Sequence, residues 1–254
     1  ATKPYTEGIT RLVEQVARYS GDAEHPLLRV NTESRRAILI GITSNRGLCG
    51  GYNAAIMRAA TTEYRRLQGE GLKTDILAVG KKLIAYFKFL NVAVWRREER
   101  FGDQPRYAEV EALANELIEL YERRQVDAVY VTYTKFVSTS VQRVETMQLL
   151  PLEKPDTGQS EGTAAKETGV QWEFIPSAQE LLEELLPETV RIRLFQAFID
   201  AVVSEQVARM VAMKAATDAA ADMVKSLTQQ YNRARQSQIT LELLDIVGGA
   251  EAIK

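Results

Sequence analysis

The sequence predicts an α/β fold: a mostly parallel sheet covered by helices, followed by one very long C-terminal helix. Three observations carry this. Between residues 37 and 149, short apolar runs alternate with helical periodicities, the pattern of βα units. The stretch 151–171 then turns polar, with Pro151, Pro155, Gly158, Gly162 and Gly169 and no large apolar residue between Glu153 and Gly169. Finally, residues 188–247 contain neither proline nor glycine; as one helix they would reach on the order of 90 Å at about 1.5 Å per residue.

Residues 5–19 place Ile9, Leu12, Val13 and Val16 on one helical face before Gly21 and Pro26 break the run. Residues 37–42 (AILIGI) read as a strand buried on both faces. A glycine-bearing turn over 44–52 leads into a helix over 53–68, and 75–79 (DILAV) is the next strand. A helix is expected over 81–90 and a short third strand over 92–95. Val110, Leu113, Ala114, Leu117, Ile118 and Tyr121 mark an amphipathic helix over 108–124. Residues 126–133 form the fourth strand, and the more polar 138–149 suit an edge strand. After the solvated segment 153–171, a short helix over 177–186 is expected to stop at Pro187. In the last segment Ala216, Ala220, Met223, Leu227, Tyr231, Ala234 and Leu241 repeat at mostly three and four residues, interrupted by Gln238, as in a coiled-coil seam. Such a helix is unstable alone in water and needs a surface to lie against.

The composition excludes several function classes. Net charge is −2, so no global field attracts nucleic acid or anionic membrane. No apolar run is long enough to span a bilayer. Cys49 is the only cysteine and His25 the only histidine, which rules out an intramolecular disulfide and a histidine-rich metal site. The turn RGLCGG (46–51) sits between a strand and a helix, where phosphate loops sit. However, it has neither G-x-G-x-x-G spacing nor a following Gly-Lys-Ser/Thr. Gly47, Gly50 and Gly51 therefore read as a structural turn, and Cys49 as a packing residue. Lys81 and Lys82, and the acidic set Glu180, Glu183, Glu184 and Glu188, read as solvated charges. No catalytic set, cofactor or metal is expected. Near the C-terminus the polar group Arg233, Arg235, Gln236 and Gln238 is followed by Leu241, Leu243, Leu244, Ile246 and Val247, then Gly248 and Gly249. These residues read equally as a frayed amphipathic end or as a tip gripped by another protein.

Several segments, in order, resemble the F-type ATP synthase γ-subunit family of the bacterial type: 44–53 (SNRGLCGGYN), 148–152 (QLLPL), 204–218 (SEQVARMVAMKAATD) and 231–240 (YNRARQSQIT), leading into Glu242-Leu243 and Val247-Gly248. The resemblance covers essentially the whole chain. It implies a Rossmann-like foot over 21–187, the end of an N-terminal shaft helix over 1–20, and a C-terminal shaft helix with its tip over 188–254. The two chain ends would pair as an antiparallel coiled coil, and most of the N-terminal helix would precede Ala1. The implied function is the central rotor shaft of a proton- or sodium-driven ATP synthase. The shaft couples c-ring rotation to conformational cycling of catalytic β subunits, with no catalytic residue of its own. Implied partners are the α, β and ε subunits and the c-ring. Membrane contact would be only indirect, at the cytoplasmic face of the bacterial membrane.

Carried over position by position, Arg235, Gln236 and Thr240, with Glu242, match the tip positions that hydrogen-bond a β-subunit loop. Met210, Met213, Lys214 and Thr217 match the neck, and Phe174 an aromatic near the ring-facing surface. Gln238 and Leu241 depart from the commoner residues, so the tip contacts are expected to differ in detail. The cysteine-bearing insertion of chloroplast relatives has no counterpart. Two rival readings stay open at this point: an enzyme on the α/β domain whose long helix oligomerises, and a homodimeric coiled-coil scaffold.

Overall fold

The computed structural model describes residues 25–101, 104–153 and 178–253, together with Gly8. The expected helix over 5–19, its pairing with the C-terminal helix, most of the 153–171 segment and Phe174 lie outside the described residues.

A five-stranded sheet has the order β3-β2-β1-β4-β5, formed by β1 (Arg36–Ile42), β2 (Lys73–Val79), β3 (Val94–Glu98), β4 (Ala128–Phe136) and β5 (Gln142–Leu150). The central strand β1 pairs in parallel with β2 and β4, β3 pairs in parallel with β2, and β5 closes the edge antiparallel to β4. Ala37, Ile38, Leu39 and Ile40 are completely buried, as a strand covered on both faces requires. The third strand begins two residues later than the 92–95 expectation. Asn91 takes a left-handed φ of 54° and the Val92 amide bonds back to Phe87 O. The chain must complete this helix exit before Val94 can pair with Ile76.

Helices α1 (Tyr52–Gly69) and α2 (Lys81–Phe89) cover one face of the sheet through Ala60, Leu67, Leu83 and Phe87. On the other face lies α3 (Tyr107–Glu122), which buries the six apolar residues its periodicity marks, beside the first part of α4 (Ala178–Ala252). At Gly80 the backbone has φ 90°, and any Cβ would collide with the Thr43 carbonyl. The junction between β2 and α2 is therefore closed to every other residue type.

The long helix corrects one expectation: it does not stop at Pro187 but runs unbroken for 75 residues, about 110 Å. Proline inside a helix costs about 3 kcal/mol through a lost N–H and a clash with the preceding turn. Here the apolar stripe is continuous across it: Leu182 and Leu186 before Pro187, and Val190, Leu194, Ala197, Phe198 and Ala201 after it, are all buried against the sheet and α3. At roughly 1.5–3 kcal/mol per buried large side chain, packing outweighs the local penalty. The helix also continues through Gly248 and Gly249, so the glycine pair does not fray the end.

Candidate functional site

In a doubly wound sheet, ligands bind beyond the carboxyl ends of the strands, where the strand order reverses. That reversal falls between β1 and β4, and the chain's own helix occupies the place. Phe198, Ala201, Val202 and Glu205 of α4 face Ile42, Thr43, Val79 and Phe101 across a narrow crevice. The rings of Phe101 and Phe198 stand 4.5 Å apart. The amides opening α2, which could otherwise hold an anion, are taken by side chains: Lys81 N donates to Asn45 Oδ1 at 3.1 Å, and Leu83 N to Thr43 Oγ1 at 3.1 Å. Lys81 also pairs with Glu99 at 3.8 Å. Among the described residues no group of three His, Cys, Asp or Glu side chains is placed to share a metal ion. Glu188, one of the acidic set, accepts from Tyr107 Oη at 2.9 Å and from Arg191 at 3.0 Å.

The glycine turn is largely exposed, with Gly50 beside the long helix and Cys49 buried beneath it. Gly50 has φ 57°, and a Cβ there would stand 3.9 Å from Ala212 of α4. Gly47 lies nearest the Lys82 side chain, and Gly51 forms the N-cap of α1 without a side-chain bond. Cys49 is buried and accepts from Asn53 Nδ2 at 3.1 Å; with Tyr52 and Ile56 it packs toward Ala208 and Val144. These α4 residues escaped the sequence reading. Their signal was present as small side chains at 201, 204, 208 and 212, the spacing of one helical face.

Beyond this seat the helix is bare. Every residue from Met213 to Ile253 is exposed. Met210, Met213, Lys214 and Thr217 lie at i, i+3, i+4 and i+7, one stripe pointing about 180° away from the face carrying Ala201, Ala208 and Ala212. The Thr217 hydroxyl bonds back to Met213 O at 3.0 Å. At the tip, Arg235, Gln236, Thr240 and Glu242 are all exposed and fall within a single arc of about 160° at roughly 100° per residue. Thr240 Oγ1 donates to Gln236 O at 2.9 Å, and Glu242 accepts from Gln238 Nε2 at 3.1 Å. The expected tip residues are thus brought together, and Gln238 engages the Glu242 carboxylate. Phe174 lies outside the described residues.

Fold and site define a class: an α/β foot that fills its own ligand position with the root of a helix and projects the rest of that helix as a lever. A family model described as ATP synthase matches residues 1–253. The ATP synthase gamma chain of Rhodopirellula baltica is 42% identical over 255 residues, covering 100% of this chain and 86% of that one. That of Streptomyces griseus is 40% identical over 258 residues, covering 100% and 84%. The chain belongs to the ATP synthase γ-chain family, whose members are the central rotor shaft and a non-catalytic subunit of that complex. Among solved structures, a chain of the Euglena gracilis mitochondrial ATP synthase superposes with a TM-score of 0.60 at 19% identity, covering 99% of this chain and 88% of that one. A chain of the Tetrahymena thermophila mitochondrial ATP synthase central stalk and c-ring gives 0.53 at 17%, covering 85% and 96%; both likenesses concern the fold. No described helix is long and apolar enough to cross a membrane.

Proposed function

We propose that this chain transmits rotation from an ion-driven c-ring to the catalytic sites of its complex, with residues 21–187 as foot and 188–254 as shaft and tip. The observation that carries the reading is the bare length of α4. From Met213 onward, about 60 Å of helix displays Met223, Leu227, Tyr231, Leu241 and Leu244 to solvent, each more than half exposed. A helix with that much uncovered apolar surface is built to run inside a sleeve.

In this reading the sleeve is a ring of α and β subunits, and the foot binds the ε subunit and sits on the c-ring with Phe174 near that surface. Arg235, Gln236, Thr240 and Glu242 hydrogen-bond one β subunit at a time, because a single arc cannot face three partners at once. Met210, Met213, Lys214 and Thr217 meet the lower ends of the β subunits on the side away from the glycine turn, which stays structural through Gly47, Gly50 and Gly51. An asymmetric shaft then biases each β subunit in turn by differential contact energy. In the same reading, residues 1–20 supply a helix that pairs antiparallel with the lower shaft. The complex stands at the cytoplasmic face of the bacterial membrane, and protons or sodium ions drive it. Co-purification tests the reading: α, β and ε subunits should accompany the tagged chain, and its recovery as a lone protein or a homodimer would overturn it.

A further inference from the structure

Ala201, Ser204, Ala208 and Ala212 recur at three, four and four residues along α4, so they share one face. Two hydrogen bonds tie that face to two different elements. Tyr52 Oη, on the first residue of α1, donates to Ala201 O at 3.0 Å, and Ser204 Oγ donates to Thr134 O at 3.2 Å. Above them Ala208 packs on Cys49, Tyr52 and Ile56, and Gly50 comes up against Ala212.

Neither bond is needed to form the helix. Ala201 O lies within α4, where the i→i−4 ladder already supplies it with a donor. Ser204 had a local alternative: Thr189, Thr217, Thr228 and Thr240 of the same helix all bond back to the carbonyl four residues earlier. Ser204 reaches across to β4 instead. Small side chains on this face bring the backbones close enough for both bonds. Burial, reinforced by the Glu205 carboxylate, holds the Tyr52 hydroxyl well above the ordinary tyrosine range, so it remains a donor.

We infer that Tyr52 and Ser204 are positioning residues that key the rotational phase of the long helix to the foot. The bonds fix the helix azimuth in its seat between β4 and the glycine turn, and with it the direction in which the tip arc points. Torque applied to the foot then leaves through a helix that cannot turn in its socket. The torque rests on the shaft reading above, whereas the keying is a property of the chain alone.

The test uses Tyr52→Phe, which keeps the ring, together with Ser204→Ala and the double variant. In the full chain alone, amide exchange over residues 201–212 should run about fivefold faster in each single variant, the change that loss of one neutral hydrogen bond brings, with the rest of the foot unchanged. In the assembled complex, a bead fixed to the foot should show an angular variance during its dwells at least about twofold larger in the double variant, at unaltered unloaded turnover. Faster exchange throughout the foot would make Tyr52 an ordinary core residue and overturn the inference, as would unchanged exchange and unchanged variance. A wild-type bead that fails to rotate would count against the shaft reading, and the exchange measurement would still decide the keying.

Discussion

Residues 178–212 and 213–252 belong to one unbroken helix, yet the first lies against the foot and the second is exposed throughout. In the lower part Phe198 is 2% exposed and packed against Phe101; in the upper part Tyr231 is 66% exposed. Both parts carry apolar residues at helical spacing. Leu182, Leu186, Val190 and Leu194 step by four residues, and so do Met223, Leu227 and Tyr231. Spacing therefore says that a face will be covered, and only the foot's own sheet determines which part this chain covers itself.

The contrast can be broken most forcefully at its lower end. Phe198→Ala should cost about 3–5 kcal/mol of foot stability through a cavity in the main core. Tyr231→Ala in the chain alone should stay within about 0.5 kcal/mol. Urea unfolding of the two variants side by side reads this difference, and equal losses would deny the two regimes. Gly80→Ala should follow at about 3 kcal/mol, since left-handed backbone and a collision with Thr43 combine; the same unfolding curve reads it.

At the upper end the effect should appear only in the complex. Arg235→Ala should slow ATP-driven turnover about ten- to a hundredfold, the worth of one hydrogen bond to a charged group. Lys225→Ala, off the matched motif on the same exposed helix, should change turnover little. Equal and small losses would move the grip elsewhere.

The smallest effect sharpens the lower regime. His25 Nδ1 accepts from Leu27 N at 3.1 Å. Burial holds the imidazole below its ordinary value of 6.5, against the opposing pull of Glu122 and Glu183. The folded chain thus binds fewer protons than the unfolded one. The His25 contribution is present above pH 6.5 and is lost as the pH falls below that value. Melting temperatures between pH 7 and 5 should drop slightly more for wild type than for His25→Asn, by less than about 1 kcal/mol in stability.

Much of the foot was legible because its signals are local. The AILIGI run, the six apolar positions of α3 and the glycine punctuation each predict one element from a few neighbouring residues. Pro187 misled because a proline is a local signal whose cost is settled by distant packing at Leu186, Val190 and Phe198. The tip residues were legible only through resemblance: among the described residues Arg235, Gln236 and Thr240 are exposed and form no hydrogen bond outside their own helix, and periodicity cannot mark a contact with another chain. The seat at Tyr52, Ala201 and Ser204 went unread because a tyrosine reaching a backbone carbonyl 149 positions away leaves no trace in either segment alone.

Residue-resolved amide exchange along α4, in the chain alone and in the assembled complex, tests the central claim most directly. Amides over 182–205 should be protected in both states. Those over 230–253 should exchange at nearly unprotected rates in the chain alone, since an unsupported helix is marginal in water, and should slow by at least about a hundredfold on assembly. Strong protection of 230–253 in the chain alone would contradict the account, because the upper helix would then need no sleeve.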